Sequence, residues 1–130
     1  MTQEDKALLL KDLCARLPYG VKMIDTEPYS AEHNPILTLS YISEDNGIGC
    51  RAGKGFMATS LGSIKPYLFP LSSMTEEQSK VYHEMIKGMF GTSALINFEV
   101  LTDFFNSNHL DYRGLIKMGL AIDATGLNIY

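Results

Sequence analysis

Ile36-Leu-Thr-Leu-Ser-Tyr-Ile42 is the stretch that decides the fold class. Its β-branched, aliphatic and aromatic residues recur with period two, the pattern of a strand with one buried face. Pro35 bounds it in front and Glu44-Asp-Asn-Gly47 behind. Asn46-Gly47 is a strong tight-turn signal, because both residue types tolerate positive φ. Working outward, Val21-Lys-Met-Ile24 and Phe56 to Ser60 read as further short strands. Ile64 to Phe69 reads as a segment that Pro66 confines to a sheet edge or leaves merely extended. Asp25 to Pro35, with two prolines and many polar residues, reads as a loop.

Helical signals flank these strands. Thr2 and Asp5 form an N-terminal capping pair, and Glu4 and Asp5 suit the positive end of a helix dipole. Leu9, Leu10, Leu13 and Leu17 follow at helical spacing, with Lys11, Asp12 and Arg16 assigned to the opposite, polar side. Pro18 stops that helix and Tyr19-Gly20 turns the chain. Thr75-Glu-Glu-Gln78 is a capping box ahead of an apolar stripe of Tyr82, Met85, Ile86, Met89 and Phe90, and Gly91 is the stop. A third helix is predicted over Phe98 to Asn108, with Leu101, Phe104 and Phe105 inward. Asp111-Tyr-Arg-Gly114 then turns into Leu115 to Asp123, which can finish as a strand. The order α, several β, α-α, β predicts an α+β fold. Its expected form is a small antiparallel sheet of four to five strands packed with three helices, residues 1–130 making one domain.

Composition narrows the function classes. With 45% hydrophobic residues over 130 positions the chain has enough for a packed core, and its net charge of −4 argues against non-specific binding to nucleic acid. Cys14 and Cys50 are far apart and outside any Cys/His ligand spacing. They predict reduced thiols, with no disulfide framework, no metal site and no cofactor. No run approaches the ~18 apolar residues of a membrane span. Met1-Thr-Gln-Glu-Asp-Lys6 is polar and acidic where a signal peptide is basic and then apolar, so the expected location is the cytoplasm, away from membranes.

Gly47-Ile-Gly-Cys-Arg-Ala-Gly-Lys-Gly55 has the composition of a phosphate cradle but not its spacing. Three residues, not four, separate Gly49 from Gly53, and Lys54 is followed by Gly55 and strand-forming residues, where a phosphate loop opens a helix. It reads as a flexible hairpin loop; the alternative is a loop whose Arg51 and Lys54 contact an anionic ligand. His33 lies in a polar loop. His83 has only Glu84 beside it, and adjacent helical residues do not share a face. His109 lies two residues before Asp111, and such a pair in a cleft could serve as a general base. Ser72 and Ser73 read as turn and cap residues, and no catalytic residue is assigned.

Asp111, Tyr112 and Arg113 put an aromatic ring between opposite charges. They suit either an internal Asp–Arg lock or an Arg fork offered to a carboxylate or phosphate. Arg16 and Tyr19, at the stop of the first helix, carry the same two readings. Seven Tyr, six Phe and seven Met exceed what a small core needs. Tyr29, Tyr67, Phe69, Tyr112 and Tyr130 are the surplus that could form a self-association patch, so a homo-oligomer is one expectation.

Three blocks, Leu10-Lys-Asp-Leu-Cys-Ala-Arg-Leu-Pro-Tyr-Gly-Val21, Ile64-Lys-Pro-Tyr-Leu-Phe-Pro-Leu-Ser-Ser-Met-Thr-Glu-Glu77 and Asp111-Tyr-Arg-Gly-Leu-Ile-Lys-Met-Gly-Leu-Ala121, together resemble a family of small uncharacterised proteins of Bacteroides-type bacteria, their prophages and phages. The departures lie between Asp25 and Thr59 and in the last residues. The resemblance implies an accessory protein of a bacterium or its mobile elements and brings no activity. Arg16, Tyr19, Lys65, Tyr67, Asp111 and Arg113 fall inside the blocks. With Arg51, Lys54 and Tyr112 they form the expected binding set: cations for charge, tyrosines for stacking. The expected function is a non-enzymatic binding protein of a phage or prophage in the host cytoplasm. Its partner would be a host protein or a small anionic, nucleotide-like ligand, as in counter-defence. The alternatives are a small hydrolase or transferase using His109 with Asp111 or His83, and a structural or morphogenetic role.

Overall fold

The fold comes from a computed structural model that describes residues 1–27, 36–88 and 94–130. It is an α+β architecture. The elements run α1 (Gln3–Arg16), β1 (Lys22–Asp25), β2 (Leu37–Ile42), β3 (Gly47–Ala52), β4 (Gly55–Ser60), β5 (Ile64–Leu68), α2 (Glu76–Gly88), α3 (Ala94–Ser107) and β6 (Ile122–Asp123), with short 3-10 turns after α1, β4 and β5. The strands form one sheet in the order β4-β3-β2-β1-β5-β6, antiparallel except for the short β5–β6 pair.

Capping explains where the helices begin. The Thr2 hydroxyl accepts from the Asp5 amide at 3.0 Å while the Asp5 carboxylate accepts from the Thr2 amide at 3.1 Å. Thr75 and Gln78 make the same reciprocal pair at 3.1 and 3.0 Å. Each box satisfies amides that a helix start leaves without partners. The third helix begins four residues before the predicted Phe98, at Ala94.

Two cores result. Leu9 and Leu13 of α1 pack on one face of the sheet against Met23, Leu37, Leu39, Ile48, Cys50, Ile64 and Leu68, and Leu115, Leu120 and Ala121 close the rim. A second cluster joins Leu101 and Phe105 of α3, Leu110, Phe69, Met74 and the α2 side chains Tyr82, Met85 and Ile86.

The structure corrects three sequence expectations. Gly47 to Gly55 is not a flexible loop: it is strand β3, a two-residue turn at Gly53-Lys54, and the start of β4. Gly53 stands at φ +60°, which a glycine adopts freely in the first turn position. Pro66 does not confine β5 to an edge, since β5 lies between β1 and β6. Pro66 pairs with Met23 of β1, and β6 pairs only at Tyr67 and Leu68, so the missing N–H costs no bond to β6. Asp12 and Arg16 do not face solvent, because both are wholly buried with Leu9 and Leu13. Positions 9, 12, 13 and 16 are one helical stripe, spaced i, i+3, i+4, i+7. His33, Tyr29, Met89, Phe90 and Gly91 lie outside the described residues.

Candidate functional site

The candidate residues from the sequence separate into an enclosed cluster and an open sheet face. The enclosed cluster starts at Arg16, which is 0% exposed. Its Nε donates to the Asp12 carboxylate at 2.7 Å, one helical turn earlier, and its Nη2 donates to the Leu110 carbonyl at 2.7 Å. Arg113 reaches the other Asp12 oxygen from the opposite end of the chain at 3.2 Å, and its Nη2 donates to the Tyr112 hydroxyl at 3.1 Å. Both guanidinium groups lie over the Tyr112 ring, 5.4 and 4.8 Å from its centre, and that ring stacks on Phe105 at 5.1 Å. Asp111 turns away from both arginines, its carboxylate accepting from the Leu115 amide at 2.8 Å and the Ile116 amide at 2.9 Å. Arg16, Tyr112 and Arg113 therefore converge on Asp12, while Asp111 holds the following turn. The cluster ties α1 to the chain after α3, and Arg16 has no exposed surface to offer a ligand. Tyr19 sits half-buried beside α3, its phenol raised above the ordinary value by burial and by the charge of Asp103.

Next to this cluster Tyr130 closes a gap in the sheet. Continuing the β1–β5 register beyond Met23 and Pro66 brings Lys22 opposite Tyr67. The Tyr130 hydroxyl stands between them, accepting from the Lys22 amide at 2.9 Å and donating to the Tyr67 carbonyl at 2.8 Å. Its ring stacks on His109 at 3.7 Å and 12°, and Lys22 Nζ donates to the Ile129 carbonyl at 3.1 Å. His109 stands at φ +57°, in the left-handed region. Burial, with Arg16 and then Lys22 nearby, depresses its imidazole to about 4, so it is neutral at pH 7. Burial pushes the Tyr130 phenol up to about 12. The expected His109–Asp111 pair does not form, because Asp111 is committed to two backbone amides. His83 Nδ1 lies 2.6 Å from the Ser79 carbonyl of its own helix. Among the described residues no hydroxyl or thiol is hydrogen-bonded to either histidine, and no group of His, Cys, Asp and Glu could hold a metal ion.

The open face is the side of the sheet away from α1. One row of register partners crosses four strands on it: Lys22, Thr38, Arg51 and Phe56. A neighbouring row runs Tyr41, Gly49, Ala58, and a further pair joins Ile24 to Lys65. Phe56 is 73% exposed and Tyr41 51%. A Cβ on Gly49 would overlap the Tyr41 ring, so the glycine is what lets that ring lie flat on the sheet. Lys22, Arg51 and Lys65 supply positive charge, and none of these register positions carries a carboxylate. Lys54, in the β3–β4 turn, is exposed beside them. Tyr67 belongs to the same strand face as Lys65 but is buried.

Sequence reasoning missed Phe56 and Tyr41 as surface residues. Strand period two puts Tyr41 in phase with Leu37 and Leu39, on the core side. A bulge between Leu39 and Tyr41 shifts the register and turns the ring out. Phe56 carried a legible signal, since Phe56 and Ala58 alternate with Met57 and Thr59, but an isolated phenylalanine reads as core. The surplus aromatics went elsewhere: Phe69 and Tyr112 pack against the second core and Tyr67 is buried.

A cleft of about 440 Å³ lies on the other side of the sheet, between α1 and the turns after β2 and β4. Gln3, Lys6 and Asn46 line it above an apolar floor that includes Leu10 and Leu61. On the same side of the sheet Asp25, almost fully buried, accepts from Thr59 Oγ1 at 2.8 Å, and Thr59 also meets Ser63 at 2.8 Å. No described helix is long and apolar enough to cross a membrane. In comparisons with known proteins, no family model, no curated protein and no solved structure matches this chain.

Proposed function

We propose that this chain is a non-enzymatic binding protein that takes an acidic surface of a protein partner on its open sheet face. One observation carries the reading: two exposed aromatic rings, Phe56 and Tyr41, flank Arg51 on a face whose charged strand residues are all basic, in a chain of net charge −4. Aromatic rings and arginine are the side chains that carry most binding energy at protein interfaces. A locally basic face on an acidic chain steers acidic partners toward itself and turns the rest of the surface away. The resemblance of the end blocks supports an accessory protein of a phage or prophage, its partner a host protein in the bacterial cytoplasm. A hydrolase or transferase gets little support from the two described histidines: His109 stacks on Tyr130 with its Nδ1 unbonded among the described residues, and His83 meets the Ser79 carbonyl of its own helix.

The test is retention of bacterial host proteins by the immobilised chain, compared with Tyr41→Ser/Arg51→Glu and with Lys6→Glu as a control. The expected outcome is a partner kept by the native chain and the control, lost by the face variant, and released by raised salt. A partner kept equally by all three chains would sink the proposal. A second reading, a small organic anion, rests on the cleft with Lys6, Gln3 and Asn46 at its mouth. A thermal shift with a nucleotide, abolished by Lys6→Glu but not by the face variant, would favour it.

A further inference from the structure

The sheet has two outer edges of different construction. β6 contributes two residues, too short an edge to template another strand. β4 contributes six, Gly55-Phe-Met-Ala-Thr-Ser60, paired to β3 along its whole length without a bulge, and among the described residues nothing pairs its far side. Natural edge strands are usually blunted by a proline, a charge, a bulge or shortness. β4 contains none of these.

The hairpin register says which backbone groups face outward. A two-residue turn makes its flanking residues, Ala52 and Gly55, a hydrogen-bonded pair, and such pairs alternate with non-bonded ones. Met57 and Thr59 therefore bond to β3, while Phe56 and Ala58 direct their N–H and C=O groups away from the sheet and Ser60 its N–H, the Ser60 carbonyl already accepting from Ser63 Oγ at 3.1 Å. We infer that this edge pairs with β4 of a second copy of the chain, antiparallel about a two-fold axis through Ala58. Ala58 then meets Ala58 of the other copy, that pair exchanging two backbone hydrogen bonds, and Phe56 meets Ser60 on either side, the Ser60 N–H donating to the Phe56 carbonyl. The strand is self-complementary in this register: each phenylalanine meets a serine, two small alanines meet at the axis, and no charge faces its like. The axis is perpendicular to the sheet, so the open faces of both copies join into one surface and their α1 helices share the other side. The pairing uses backbone groups and stands or falls independently of the partner proposed for the open face.

The contact is short, so the dimer depends on concentration. Sedimentation equilibrium up to about 1 mM, with amide exchange at low and high concentration, reads it directly. The expected result is a monomer–dimer equilibrium in which the Ala58 and Ser60 amides gain protection as concentration rises. Met57 and Thr59 should be protected throughout. Ala58→Pro removes the central outward donor without removing a bond to β3, and Ala58→Lys sets like charges face to face on the axis. Both should be monomeric with unchanged circular dichroism. Should the proline variant fail to fold, the lysine variant decides. A native chain that is monomeric throughout, or a dimer that survives in a folded Ala58 variant, overturns the inference.

Discussion

The Asp12–Arg16 cluster and the β3–β4 hairpin are both rich in the residues of binding sites, and the fold treats them oppositely. At the cluster the charges meet internal partners: Asp12 takes Arg16 and Arg113, the Leu110 carbonyl takes Arg16 Nη2, and Tyr112 lies under both guanidinium groups, while the buried Arg16 Nη1 has no hydrogen-bond partner among the described residues. At the hairpin Arg51 and Phe56 are exposed beside Tyr41 of β2, and among the described residues the outer edge of β4 has no strand partner. The difference teaches that arginine and tyrosine in a short motif mark an interaction without saying whether it is inside or outside the molecule. Burial decides that, because a buried guanidinium must be satisfied within the fold.

Breaking the enclosed side should have the largest effect. Asp12→Ala strands Arg16 in a fully buried site, and removing one partner of a buried ion pair costs about 3–5 kcal/mol. The variant should unfold at far lower urea than the native chain, or fail to fold at room temperature; a midpoint within error of native would mean that the cluster contributes nothing.

Tyr130→Phe is a milder break on the same side. It keeps the stack on His109 and removes only the hydroxyl between Lys22 and Tyr67, leaving a donor and an acceptor unbridged. The expected loss is about 1–3 kcal/mol, with faster amide exchange at Lys22 as the local readout.

Acid and base should sharpen the contrast, because the enclosed side titrates. His109 is depressed from 6.5 to about 4 in the fold. Its contribution is complete above 6.5 and is lost as pH falls through 4, since the unfolded chain binds the proton first. Tyr130 is raised from 10.0 to about 12, so its contribution is complete below 10 and lost as pH rises through 12. Denaturation midpoints followed over pH should fall at both ends. His109→Asn, which suits the left-handed backbone, should flatten the acid limb alone; an unchanged limb in that variant would remove His109 as its source.

The smallest stability effect belongs to the open side. Arg51→Glu touches no internal hydrogen bond or ion pair among the described residues and should change unfolding by no more than about 0.5 kcal/mol. A larger loss would show that the open face supports the fold.

Much of the architecture was legible in the residues. The capping boxes at Thr2 and Thr75 announced two helices, because the residues that satisfy a helix start lie within one turn of each other. The Leu37–Ile42 strand was equally plain, since alternation is a local property, whereas the turn expected at Asn46-Gly47 falls earlier: Asn46 stands at φ +63° and Gly47 already opens β3. The site was less legible. Asp12 and Arg16 looked like a solvated face because charge usually marks one, yet their angular positions beside Leu9 and Leu13 already placed them on the buried stripe. The glycine-rich segment reads as a loop by composition, because glycine weakens strands. Its pairing on both sides, with β2 and β4, outweighs that weakness.

By itself, the sequence determined the α+β class, the starts of the two capped helices and the apolar stripes, because each depends on neighbours a few residues away. Tertiary structure alone decided that Arg113 crosses the chain to Asp12, that Tyr130 bridges β1 and β5, and that a bulge turns Tyr41 outward. It also decided that, among the described residues, β4 ends the sheet with no strand along its outer edge. Those outcomes depend on partners distant in sequence or on a one-residue shift of register, and neither leaves a mark in local spacing.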